Sequence, residues 1–268
     1  MSGTLTFNGV TAASLGLKIG GVKPYAASGR EVQTYYVPGR IGAVYPAVDY
    51  SQIPNEIREY AAALYKRAGS NETVERAMAE IRDWLLNVDG YAELSDSYEP
   101  QFYRRAFFTG DVVPTRKGAG QNFEIPLRFS CDPRRFIAGD HHFTVFAASG
   151  PATYTTPETV SSFRINDSAK PLIHVSTGGE RVVVTFTDVT EVGGVPRNTQ
   201  IGQLILAAYD DEFWFDSETL TAYYDDGSAA NSRIEDVIGE IRLGPGQTRI
   251  SFTSSVVALT FYPRWWVR

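Results

Sequence analysis

On both sides of Gly244-Pro245-Gly246 apolar and polar residues alternate, with Ile241-Arg242-Leu243 before the turn and Gln247-Thr248-Arg249-Ile250-Ser251-Phe252 after it. A period of two sends successive side chains to opposite faces of a sheet, and Gly-Pro-Gly breaks the chain into a turn. With Val256-Val257-Ala258-Leu259-Thr260-Phe261 beyond, residues 241–261 read as a sheet meander closing on a final strand. Next come Pro263-Arg264-Trp265-Trp266-Val267-Arg268, which hold two of the four tryptophans. Each such ring offers about 150–250 Å² to bury, so this end is expected to dock on the fold.

Other strand candidates precede the meander: Pro171 to Val175, Arg181 to Phe186, Gln203 to Leu206 and Glu212 to Phe215. Short strands at regular spacing suggest a sandwich. The 15 Tyr, 15 Phe, 24 Gly and 14 Pro favour strands and turns, and 268 residues allow one or two domains. Gly139 to Pro157 is rich in Gly, Ser, Pro and Thr, with Phe143-Thr144-Val145-Phe146 as its one periodic signal. The boundary is therefore placed at 138/139, giving domains 1–138 and 139–268.

One helix stands out. Val74, Ala77, Met78, Ile81, Trp84 and Leu85 recur at helical spacing, with Ser70 or Asn71 as N-cap and Glu72 and Glu75 in the first turn. The spacing predicts a helix over 71–87. The stretch 54–67 is two-sided: its alanines and Pro54 argue helix on propensity.

A net charge of −6 and pI near 5.2 give no reason to expect binding to nucleic-acid phosphates. The single cysteine, Cys131, forms no intrachain disulfide and reads as a small buried apolar residue. Met1 leads into strand-like Leu5-Thr6-Phe7 without a signal peptide, and no stretch approaches the roughly 20 apolar residues of a membrane span. A soluble product made without export, with no membrane partner, is expected.

Catalytic constellations are scarce. The three histidines are His141, His142 and His174, and no H-E-x-x-H, G-x-S-x-G, P-loop or G-x-G-x-x-G pattern occurs. No catalytic, cofactor or metal residues are assigned; His141-His142 reads as a linker pair. Asp216 and Glu218 would share a face if both lay on a strand, the minimum geometry of a glycosidase pair or cation site, although turn chemistry is the simpler reading. Asp225-Asp226-Gly227 is ordinary turn chemistry. Trp214 and Tyr223 are glycan-contact candidates, as a stacking platform for sugar rings, against the plainer reading of sandwich core. The residues alone stop at a β-rich, two-part binding or structural protein.

Several strings, taken in order, carry the reading further. They are Phe7-Asn8-Gly9-Val10 with Leu15-Gly16-Leu17, Val37-Pro38-Gly39-Arg40 with Gly42, Ile81 to Leu86, Asp89-Gly90-Tyr91, Leu94 to Pro100, Tyr103-Arg104 and Phe129 to Phe136. Later come Lys170 to Ile173, Asp216 to Tyr223, Leu243 to Gly246, Ile250-Ser251-Phe252 and Pro263 to Trp266. In this order they resemble the siphophage distal tail protein family, the hub at the end of a long non-contractile tail.

The resemblance implies a mainly β chain with one helix. Residues 1–138 would be a β-barrel or sandwich domain that assembles into a homohexameric ring continuing the tail tube, and 139–268 a galectin-like β-sandwich projecting outward. It makes residues 56–66 a strand. It implies a non-enzymatic virion protein, made in the host cytoplasm and carried at the distal end of the tail. The expected partners are copies of itself, the tail tube protein, tail-associated or tape-measure proteins and receptor-binding proteins, with DNA passing through the lumen without specific binding. Arg40 is the candidate subunit contact. The chain departs from the pattern at Ala43, where an acid is common, and shows no obvious room for an inserted carbohydrate module or long arm. The alternatives are a lectin-like adhesion module of the tail binding host surface glycan and, more remotely, a tail glycosidase using Asp216 and Glu218.

Overall fold

The computed structural model describes residues 3–20, 55–64, 74–116, 123–157, 160, 168–192 and 195–267. The chain divides into two compact units, the first reaching Ala138 and the second running from Gly139 to Val267.

The first unit holds β1 (Leu5–Phe7), β2 (Val10–Thr11), β3 (Leu17–Gly20), β4 (Glu56–Leu64), α1 (Val74–Leu86), β5 (Ala92–Asp96), β6 (Phe102–Phe108), β7 (Thr115–Arg116), β8 (Phe123–Cys131) and β9 (Arg135–Ile137). Its sheet runs in the order β2-β1-β5-β6-β8-β4-β3, with β7 on β8 and β9 on β6. The far ends meet at a bridge between Gly3 and Ile19, where the Gly3 amide donates to the Ile19 carbonyl at 2.9 Å. The chain leading into β1 thus meets β3, and the sheet curls back on itself.

Strand β4 carries the Ala-rich run, and its composition is overridden by pairing. Its register with β8 runs from Glu56 opposite Cys131 to Leu64 opposite Phe123, and its other edge pairs Ala61–Leu64 with β3. A residue hydrogen-bonded on both sides in a sheet gains more than the few tenths of a kcal/mol by which Ala prefers helix. Alternation places Glu56, Arg58, Tyr60, Ala62 and Leu64 inward and leaves Ile57, Glu59 and Ala61 exposed. Helix α1 buries Ala77, Met78, Ile81, Trp84 and Leu85, and the Trp84 indole N–H donates to the Phe7 carbonyl at 2.9 Å. Phe7, Phe108 and Tyr60 surround Phe129 at centroid distances of 5.0, 5.6 and 6.2 Å. The N-cap candidates Ser70 and Asn71 lie outside the described residues.

The second unit is a sandwich of two five-stranded antiparallel sheets. One contains β10 (Phe143–Phe146), β19 (Ala258–Tyr262), β12 (Leu172–Ser176), β15 (Glu212–Asp216) and β16 (Thr221–Tyr223), in that order. The other contains β11 (Ala152–Thr155), β18 (Gln247–Phe252), β13 (Val182–Val192), β14 (Val195–Leu206) and β17 (Ile234–Gly239). Between them Ile173, Val175, Val184, Phe186, Leu204, Phe213, Phe215, Ile250, Leu259 and Phe261 are fully or almost fully buried.

The strand candidates fall on β12, β13, β14 and β15, but the expected meander does not form. Before the Gly-Pro-Gly turn there is a single bridge, Leu243 to Ala169, and the two segments after it, β18 and β19, join opposite sheets. Alternation fixes which face of a segment is buried, and in a sandwich both sheets offer that same face. Trp265 is buried, and its indole N–H donates to the Tyr154 hydroxyl at 3.4 Å.

Candidate functional site

Strand β15 ends at Asp216, and Ser217 to Leu220 turn the chain into β16. The Asp216 carboxylate accepts the Glu218 amide at 2.8 Å, and Ser217 Oγ donates to the Pro171 carbonyl at 2.6 Å. Arg264 closes the arrangement: Nη1 and Nη2 donate to the two Asp216 oxygens at 3.0 and 2.5 Å, and Nε donates to the Lys170 carbonyl at 2.7 Å. Glu218 lies 3.8 Å from Nη1. Burial works against charge on Asp216, but the Arg264 bonds and charge outweigh it and hold the carboxyl below its ordinary range. Asp216 and Glu218 therefore do not share a strand face, and both carboxylates are drawn to one guanidinium. A carboxylate kept ionised in this way is a poor proton donor for glycoside cleavage.

Two residues before Asp216 along β15, the outward side of the same sheet carries an ordered row. Cross-strand register sets Thr144 opposite Thr260, Thr260 opposite His174, His174 opposite Trp214 and Trp214 opposite Tyr223. The row thus crosses all five strands, one residue from each. The two threonine hydroxyls are 2.9 Å apart, and the His174 and Trp214 rings lie 4.8 Å apart at 59°. Tyr262 packs diagonally on Trp214 at 5.4 Å, and His142 stacks on Tyr262 at 5.6 Å. The Trp214 indole N–H donates to Asp225 at 2.6 Å. Trp214 and Tyr223 thus face outward and half-exposed, and the core reading of these rings does not hold. Sequence reasoning brought these two together but missed His174, Tyr262 and Asp225. The period-two phase of His174 between buried Ile173 and Val175 was the available signal for one of them.

Asp226 accepts the Ser228 amide at 2.8 Å beside Gly227 at φ 81°, which is the turn chemistry expected there. A second feature was legible only in phase. Glu56 and Arg58, on the inward side of β4, join Arg104 and Glu99 in a buried ion cluster, with Arg58 to Glu56, Arg58 to Glu99 and Arg104 to Glu56 each at 3.1 Å. Tyr60 donates to Asp96 at 2.6 Å, and the Asp96 carboxylate accepts the Tyr98 and Glu99 amides. Burial works against charge on Glu99, yet Arg58 and Arg104 hold its carboxyl below the usual range. Cys131 is fully buried, and burial pushes its thiol up to about 12.

Among the described residues no group of three or more His, Cys, Asp or Glu is placed to hold a metal ion. Nor is any helix among them long and apolar enough to cross a membrane. Arg40, with Val37-Pro38-Gly39 and Ala43, lies outside the described residues.

No protein-family profile matches the chain, and no curated protein matches it in sequence. Solved structures do match. The crystal structure of the SPP1 Dit protein, characterised as a paradigm of the hub adsorption apparatus in phages that infect Gram-positive hosts, superposes with a TM-score of 0.60 at 14% identity, over 97% of each chain. A chain of the phage p2 baseplate in its activated, strontium-bound conformation superposes with a TM-score of 0.53 at 10% identity, over 98% of this chain and 97% of that one. The chain therefore shares its fold with these two proteins over nearly its whole length.

Proposed function

We propose that this protein is a structural component of a phage virion, the distal tail protein that forms the hub between tail tube and tail tip or baseplate. The observation that carries the reading is the end-to-end likeness to SPP1 Dit, which spans both units and is not confined to a common sandwich. Two of the ordered motif groups along the sequence support it, because they form distinct local structures of the fold. Leu94 to Pro100 form the β5–β6 turn with Asp96 as its acceptor, and Lys170-Pro171, Asp216 to Glu218 and Arg264 form the clamp.

In this role the chain works through shape and valence, and no reactive group is required of it. Six copies would close a ring by repeating one heterologous interface, which rotation closes without leaving a free face. Its lumen would continue the tail tube, and the net charge of −6, turned partly toward it, would let DNA pass without adhering. The sandwich units would hold tail-associated and receptor-binding proteins, and six weak attachments would multiply into avidity.

Negative-stain imaging of the purified protein, alone and with its tail-tube neighbour, tests the proposal. Six-fold rings with an open centre in either sample are expected. Monomers in both overturn it, and a reconstruction with a basic lumen overturns the charge assignment.

A further inference from the structure

The row across β10, β19, β12, β15 and β16 is unlike the rest of the solvent face of the sandwich. The inward residues of these strands, Ile173, Val175, Phe213, Phe215, Leu259 and Phe261, already supply the core, so His174, Trp214, Tyr223 and Tyr262 are surplus to it. Cross-strand aromatic pairs do stabilise sheets, by about 0.2–1 kcal/mol each, but β-branched residues serve a sheet face without leaving large rings half in water. What sets the row apart is its run of three neighbouring rings, His174, Trp214 and Tyr223, continued on one side by the two threonine hydroxyls.

We infer that this row is a binding surface for a neutral oligosaccharide. Sugar rings present C–H faces bordered by hydroxyls, and the row offers the complementary pattern. Trp214 and Tyr223 supply adjacent ring faces, with Tyr262 diagonal to Trp214. Beside Trp214, on the side away from Tyr223, stands the His174 imidazole, and beyond it the Thr260 and Thr144 hydroxyls, groups that both donate and accept hydrogen bonds. Asp225 fixes the indole by taking its N–H at 2.6 Å, so that the stacking ring is set before a ligand arrives.

Length and charge point the same way. Four interstrand steps of about 4.8 Å give the row a length of about 19 Å, room for several sugar residues in extended form. Asp225 beside Trp214 and Glu212 on the same strand make the surroundings acidic, on a chain of net charge −6. Phosphate- or sulfate-bearing polymers are repelled there, and uncharged sugars are not. The inference does not depend on the hub reading, since a monomer of this chain carries the whole row.

The test uses the full-length protein with a panel of neutral hexose and N-acetylhexosamine oligomers, first on an array and then by saturation-transfer NMR. At least one oligomer is expected to bind, with the strongest transfer to ring C–H protons. Trp214→Ala and Tyr223→Ala should each weaken it at least tenfold, while Tyr91→Ala, an exposed ring of the other unit, leaves it unchanged. Circular dichroism checks that each variant is folded, and Trp214→Phe, which keeps a stacking ring, should retain part of the affinity. The inference is overturned by no response to any neutral oligomer, by a preference for anionic polymers, by binding indifferent to Trp214 and Tyr223, or by a protein ligand on this face with no glycan response.

Discussion

Arg264 holds Asp216 through two hydrogen bonds, from Nη1 and Nη2, while its Nε reaches the Lys170 carbonyl. One guanidinium thus joins the end of β15, the segment leading into β12 and the stretch that follows β19. Both partners are mostly buried, with side chains 12% and 15% exposed. Replacing Arg264 by Ala should cost about 2–4 kcal/mol, because it leaves a desolvated carboxylate uncompensated. Arg264→Lys should recover little of this, since an ammonium cannot reproduce the fork. Urea unfolding of the full chain measures both.

The same pair fixes a pH dependence. The folded-state pKa of Asp216 is depressed, so its contribution to stability is fully present above the ordinary carboxylate value of about 3.9 and is lost as pH falls through the folded value. Wild-type stability should therefore drop on acidification more than that of Asp216→Asn. Thermal melts of both proteins from neutral to acid pH give the comparison, and parallel curves would refute it.

The ion cluster of the first unit should behave oppositely to a surface pair. Glu56→Gln removes one of the two carboxylates that bridge Arg58 and Arg104, leaving Glu99 alone between them, and should cost about 2–4 kcal/mol, with little relief from salt. Arg76 and Glu80 form an exposed helical pair at 3.3 Å, and Arg76→Ala should change stability by no more than about 0.5 kcal/mol. Chemical denaturation at low and high salt separates the two cases.

Leu220 stands at φ 57° in the turn after β15 and is 54% exposed. The left-handed region costs an L-residue roughly 1–2 kcal/mol, and little burial offsets it here. Leu220→Gly should therefore be neutral or stabilising by up to about 1 kcal/mol, a direction that calorimetry can read.

Cys131 is enclosed between β4 and β6 with its thiol pushed up to about 12. At neutral pH a thiol reagent should not label the native protein and should label it fully in denaturant. Rapid labelling of the folded state would contradict the packing.

Much of this architecture was legible in the chain because its signals are local. The apolar stripe on α1 and the alternation along β12 and β15 name an element and its buried face. The residues of the clamp were each noticed as parts of motifs, yet nothing local links Arg264 to Asp216, 48 residues away. For the same reason alternation makes the β18 and β19 segments look like one meander, although they join opposite sheets. Glu56 and Arg58 sat in the inward phase of β4, but charge on a core-facing position reads as an argument against the strand until its partners are seen. Trp214 and Tyr223 were singled out by residue type, whereas His174 joined them only through register.

The closure of the first sheet bears on the rate at which it can form. The β4–β8 pairing brings Asn55 to Ser130 across 75 residues, and the docking of α1 brings Trp84 to Phe7 across 77. Until those distant segments have met, the bridge from Gly3 to Ile19 has no framework to close against, and the entropy of looping must be met before most of the burial is gained. This unit is set to fold in milliseconds to seconds, and its partly paired strands are exposed to one another in the meantime. Where many copies are made at once, the slow step is also the step at which copies can mispair.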